Sequence, residues 1–104
     1  MNRVEIIGNL GAEPRANLVG EKDTVATVSI ATDESYKNEA GEWINNPEWV
    51  MIEGWNKVAD KICTFKTGSR VRIIGKIKTK SWMDGDTKKY KTVVNVSKIQ
   101  SIGL

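Results

Sequence analysis

The chain has no histidine and a single cysteine among its 104 residues. The first absence removes the commonest general base and the commonest zinc ligand, and a lone thiol can form neither an intrachain disulfide nor a thiolate cluster. Both weigh against an enzyme and against a bound metal or other cofactor. Long apolar runs are missing too. Nothing approaches the roughly 18 residues of a membrane-spanning helix, and Met1, Asn2, Arg3, Val4 and Glu5 do not lead into a secretory h-region. A cytoplasmic protein without membrane attachment is expected. Cys63, next to Ile62 in a segment that reads as helix, has no histidine to activate it and is expected to be a buried or half-buried structural thiol. Asp33, Glu34, Glu48 and Glu53 show no recognisable metal-binding spacing, which argues against a two-metal nuclease.

What is present suits a small folded domain: 39% hydrophobic and 28% charged residues, with a mean hydropathy of -0.39. A chain of this length can bury a modest core without metal or disulfide, so residues 1–104 are expected to form one domain. The net charge is only +3, but it is unevenly spread. Residues 70–91 hold Arg70, Arg72, Lys76, Lys78, Lys80, Lys88, Lys89 and Lys91 against Asp84 and Asp86. Residues 33–53 hold Asp33, Glu34, Glu39, Glu42, Glu48 and Glu53 against Lys37 alone. A charge run is ordinarily a solvated face. Trp82 and Tyr90 flank the basic run, and that interleaving points to a nucleic-acid surface.

Hydrophobic alternation marks five strands. Residues 3–10 put Val4, Ile6, Gly8 and Leu10 on one face before Gly11 and Pro14. Residues 24–32 are rich in β-branched side chains and carry no charge. Residues 33–47 lapse into polar residues with Gly41 at a turn, a long hairpin or loop. Residues 48–55 send Val50, Ile52 and Gly54 to one face and Trp49, Met51, Glu53 and Trp55 to the other. In residues 56–68, Asn56 suits an N-cap, Val58, Ile62 and Phe65 recur at helical spacing, and Gly68 ends a short amphipathic helix. Residues 70–82 alternate Val71, Ile73, Gly75 and Ile77 with Arg72, Ile74, Lys76, Lys78, Lys80 and Trp82. A turn over 83–88 leads into a fifth strand over 90–96, with Thr92, Val94 and Val96 on one face.

Successive side chains of a strand face opposite ways, so the indoles and the lysines lie on outward faces. Turning Trp49 and Trp55 inward would put Val50 and Ile52 in water. Exposed indoles suit stacked bases, about 1–3 kcal/mol per base whatever the sequence. Lys76, Lys78 and Lys80 would neutralise phosphates and make binding strongly salt-dependent. Ile74 has no part in this scheme and suits a contact between subunits, and Trp43 has no assigned role. Five strands with a helix between the third and fourth is the order of the OB-fold, an all-β, five-stranded Greek-key barrel that binds oligonucleotides or oligosaccharides. Gly8, Gly54 and Gly75 fall in core registers where such strands bend.

Specific residues carry a family resemblance. Asn2, Arg3 and Val4, then Ile7, Gly8, Asn9, Leu10, Gly11 and Pro14, form the first stretch. Val28, Ser29, Ile30, Ala31 and Thr32, Glu48 with Trp49, Lys57 with Val58 and Ala59, residues 66–69 and residues 71–82 follow in order. Together they resemble the bacterial single-stranded DNA-binding protein family over residues 2–97. The resemblance implies an OB-fold that binds single-stranded DNA without sequence preference or catalysis. It further implies a homo-oligomer, usually a tetramer with a dimer as alternative, acting in replication, recombination or repair within the cytoplasm and nucleoid.

By the same resemblance, Trp49 and Trp82 fall on stacking tryptophans, Trp55 on a stacking phenylalanine and Tyr36 on another tryptophan position. Lys57, Lys78 and Lys80 fall on cations of the DNA path. Arg3, Arg72, Lys76, Lys88 and Lys89 complete the candidate site. The family carries a flexible acidic tail that recruits replication and repair proteins, whereas this sequence runs out at Ile102, Gly103 and Leu104, so such partners stay open. Residues 33–48 are also more acidic than the resemblance leads one to expect, which should shift DNA contact toward the basic hairpin. An accessory protein that keeps the scaffold but chiefly binds proteins is the competing reading, and it would be expected to lose these aromatics.

Overall fold

In the computed structural model, which describes residues 1–103, the alternating segments close into a ring. Leu104, the last residue of the expected domain, lies outside the described residues. The elements are β1 (Val4–Leu10), β2 (Arg15–Val19), β3 (Asp23–Ala31), β4 (Tyr36–Lys37), β5 (Trp43–Ile44), β6 (Trp49–Trp55), α1 (Lys57–Ile62), β7 (Arg70–Asp84) and β8 (Thr87–Ser101). Neighbours run β1-β7-β8-β6-β3-β2, and β1 returns to β3 at Asn9↔Ala31 and Leu10↔Ile30. That return closes five strands into a barrel, with β2 lying along β3. All ladders of the barrel are antiparallel except β6 with β8, which pair parallel at Ile52↔Val94 and Glu53↔Asn95. The result is the all-β OB-fold expected, with the short helix between the third and fourth strands of the ring.

The core is supplied by the inward residues of each barrel strand: Leu10, Val28, Ile30, Ile52, Val71, Ile73, Val94, Val96 and Ile99, capped by Ala59 and Ile62 of α1. Burying each of the larger aliphatic side chains contributes about 1.5–3 kcal/mol. Two glycines mark close approaches. A Cβ on Gly54 would come within 2.6 Å of Val58 and Ile62, so α1 sits directly on β6. A Cβ on Gly75 would strike the Asn95 carbonyl. There the β7–β8 register moves from Ile74↔Lys98 to Gly75↔Val96, leaving Ser97 as a bulge whose hydroxyl donates to the Ile74 carbonyl at 3.0 Å. Past the β6–β8 pairs at Val94 and Asn95, β7 beyond Ile77 and the facing part of β8 leave the barrel as a two-stranded arm that turns at Gly85 and Asp86.

Several expectations need correction. β2 was not foreseen: its five residues are all exposed, so ladder bonds to β3 hold it, and no apolar alternation announces it. The 33–47 segment contains a minimal hairpin of β4 and β5, as its polar composition with Gly41 suggested. The helix covers six residues and stops at Ile62, short of Gly68. Asn56 does not cap it. Its side-chain carbonyl accepts from the Thr24 N–H at 3.0 Å, its amide donates to Asp23 at 3.2 Å, and its φ of 55° lies in the left-handed region. After Ile62 the chain tightens through Thr64 N–H to Lys61 O and Phe65 N–H to Ile62 O. Cys63 stands at this helix end and is exposed, not buried. The β7–β8 turn is shorter than expected, with ladder pairing up to Asp84↔Thr87. Ile77 keeps the core-facing parity of Ile73 and yet is exposed, because β1 flanks β7 only as far as Gly75 and no strand covers that side at Ile77.

Candidate nucleic-acid interface

Each barrel strand that sends aliphatics inward sends a different set outward. On β6 the outward residues are Trp49, Met51, Glu53 and Trp55, and register rows run across the sheet from them. Glu53 lies opposite Asn95 of β8 and Thr27 of β3, Asn95 lies opposite Lys76 of β7, and Thr27 lies opposite Arg15 of β2. Trp49 is 60% exposed and Trp82 46% exposed. Trp55, opposite Val25, is half-buried. Trp49 lies over Gly11, where a Cβ would overlap the ring, and the Gly11 N–H donates to the Ser29 carbonyl at 2.9 Å. A backbone without a side chain thus forms the seat of that indole.

The β7–β8 ribbon from Lys76 outward, whose first pairs still belong to the barrel and whose remainder is the arm, has two faces, because directly paired residues point the same way. One carries Lys76, Lys78, Lys80 and Trp82 from β7, with Asn95, Val93, Lys91 and Lys89 opposite them. The other carries Ile77, Thr79, Ser81 and Met83, with Val94, Thr92, Tyr90 and Lys88 opposite. The candidate lysines are therefore split. Lys89 shares the Trp82 face, whereas Lys88 shares the Tyr90 face and stands 5.6 Å from that ring's centroid.

Three of the candidate cations are already paired. The Arg72 guanidinium donates to Glu5 of β1, with its Nε at 2.6 Å from the carboxylate. Lys80 pairs with Glu53, and Lys89 with Asp84 at 2.8 Å. Among the described residues Arg3, Lys57, Lys76, Lys78 and Lys88 make no such ion pair. Arg3 and Lys76 line one groove of about 380 Å³ with Asn2, Ile74, Gly75, Asn95 and Ser97. Lys57 opens α1 on a separate groove beside Lys61 and Lys98. Tyr36 is 52% exposed on the β4–β5 hairpin, apart from the barrel sheet, with Trp43 opposite Lys37.

Glu53 departs most from expectation. It has the outward parity the alternation gives it, but it is 1% exposed, covered from the arm by Lys80. Lys91, opposite Lys80, and Arg15, opposite Thr27, also share these outward rows and were not among the candidate residues. The alternation of residues 89, 91 and 93 on β8 held the signal for Lys91, but Arg15 could not be placed without knowing that β2 is a strand. Among the described residues no group of three or more carboxylate, thiol or imidazole side chains lies together as a cation site. No helix of the described residues is long and apolar enough to cross a membrane.

A closed OB barrel with bare indoles and cations on its outer surface defines a class of oligonucleotide-binding architecture. The chain belongs to the Single-strand binding protein family, whose model matches residues 1–102. It is 36% identical over 107 residues to "Single-stranded DNA-binding protein 1" of Chlorobaculum tepidum, an alignment covering 99% of this chain and 65% of that protein. It is 28% identical over 106 residues to the protein of the same name from Xylella fastidiosa, covering 99% and 78%. The chain thus spans just under two thirds of the Chlorobaculum protein. A Plasmodium falciparum SSB solved in complex with single-stranded DNA superposes with a TM-score of 0.84 at 27% identity, over 99% of this chain and 96% of that one. A deletion variant of the Thermus aquaticus single-stranded DNA binding protein shares the fold, with a TM-score of 0.83 at 18% identity over 99% and 51%.

Proposed function

We propose that this chain binds and protects single-stranded DNA without sequence preference, in replication, recombination or repair. Bases stack on Trp49, Trp55 and Trp82, with Tyr36 as a fourth ring, and phosphates are neutralised by Arg3, Lys57, Lys76, Lys78, Lys88 and Lys89. The observation that carries this reading is the exposure of Trp49 and Trp82 on the outside of an OB barrel whose Lys76 and Lys78 are not engaged by carboxylates among the described residues. Each stacked base contributes about 1–3 kcal/mol, and each neutralised phosphate steepens the salt dependence. Family membership supports the same reading.

Residues 1–104 act as one binding domain, as a homo-oligomer of two or four chains, in the cytoplasm and nucleoid. The exposed rings favour DNA over the protein-binding alternative, which has no use for them.

Titrating oligo-dT into the protein at low salt is expected to quench indole emission, with recovery as salt is raised. Light scattering on the same samples gives the number of chains per complex. Emission that stays unchanged at low salt would sink the reading.

A further inference from the structure

Glu53 is the one buried charged side chain among the described residues, and it lies on the face where a DNA binder gains nothing from negative charge. Its Oε2 pairs with the Lys80 ammonium, and its Oε1 accepts a 3.5 Å bond from the Asn95 amide, at the limit of hydrogen-bond reach. Lys80 belongs to β7 and Glu53 to β6, so the pair spans β8. In the β7–β8 ladder Lys80 sits directly opposite Lys91, a like charge that disfavours an upright lysine there. The ammonium also stands 5.8 Å from the centroid of Trp55, within cation–π range.

We infer that Glu53 is an internal counter-ion that claims Lys80, making Lys80 a positioning residue for Trp55 and leaving phosphate contact on this face to Lys76 and Lys78. The inference rests on the single-stranded DNA reading above. A phosphate that took Lys80 would leave a carboxylate buried, unpaired and close to a polyanion, and both the desolvation and the repulsion oppose that exchange.

The test compares wild type, E53Q, K80Q and E53Q/K80Q for oligo-dT affinity across a salt series. E53Q releases Lys80 and is expected to bind more tightly at low salt, with a slope of log K against log salt steeper by about 0.7, the worth of one single-strand phosphate contact. K80Q uncovers the buried Glu53 carboxylate beside the polyanion and is expected to bind most weakly of the four, with a slope no steeper than that of wild type. The double variant, which lacks both charges, returns to the wild-type slope and loses about two- to fivefold in affinity at every salt concentration, the share of the cation beside the Trp55 ring. A slope shallower than that of wild type in the double variant would overturn the proposal, as would a steepening by E53Q that persists without Lys80.

Urea unfolding of the same four proteins tests the pair without DNA. K80Q strands a buried charge and is expected to unfold at lower urea than E53Q/K80Q, and equal midpoints would overturn the pair. A wild type that binds no oligo-dT while K80Q still shows its urea penalty would overturn the DNA reading, and with it the role of Lys80 toward Trp55, but not the ion pair.

Discussion

The two halves of β7 share one alternation and end in opposite environments. In residues 70–75, β1 lies on one side and β8 on the other, and Val71 and Ile73 are fully buried in the core. In residues 77–84 only β8 remains as a partner, and Ile77, with the same parity as Ile73, is 51% exposed. Alternation decides which face a side chain takes, and burial follows only where a second layer covers that face. The barrel half therefore holds the fold together, while the arm, free of core duties, presents Lys78 and Trp82 to solvent.

Alanine at the two isoleucines should expose that division most strongly. Ile73→Ala removes a fully buried side chain and is expected to cost about 2–5 kcal/mol in urea unfolding. Ile77→Ala, at an exposed site, is expected to stay within about 0.5 kcal/mol. A large loss at Ile77 would mean that the arm is covered in solution, as contact with a second copy of the chain would cover it.

Binding should reverse the ranking of the halves. Trp82→Ala on the arm is expected to lose about 1–3 kcal/mol of oligo-dT affinity, read by anisotropy of a labelled strand, with no shift of the urea midpoint. Trp43→Ala removes an indole even more exposed, but from a hairpin whose neighbours include Glu39 and Glu42. Those carboxylates repel phosphate, so the loss there is expected to be smaller. Equal losses at Trp43 and Trp82 would carry the DNA path over β4 and β5 and break the division between arm and hairpin.

The parts of this architecture that were legible in the sequence are those that a two-residue period governs. Val4, Ile6 and Leu10, or Val50 against Trp49, announce their faces because each strand has a buried side and a wet side. Three kinds of feature were not legible, each for a physical reason. Strand β2 is exposed on both faces and is held by hydrogen bonds to β3, which leave no mark in side-chain pattern. Asn56 is consumed by Thr24 and Asp23, partners 32 and 33 residues away, so local capping rules could not see its role. Glu53 is buried by Lys80 from a strand that is not its ladder partner, a consequence of three-strand geometry that alternation within β6 cannot express.

The smallest effect concerns the pair at the tip of the arm. Lys89 and Asp84 approach to 2.8 Å with side chains 51% and 62% exposed, and such surface pairs contribute about 0.2–1 kcal/mol. Asp84→Asn should therefore leave thermal unfolding nearly unchanged. It should still alter binding, because Lys89 lies directly opposite Trp82 and its ammonium is then no longer neutralised. The expected result is a modest rise in oligo-dT affinity, with a salt slope steeper by at most about 0.7. The contrast with Glu53 is one of burial: a wet pair separates readily to meet a phosphate, and a dry one does not. If D84N bound more weakly than wild type, Asp84 would be acting as a clamp that aims Lys89, and the tip would then be as preorganised as the barrel face.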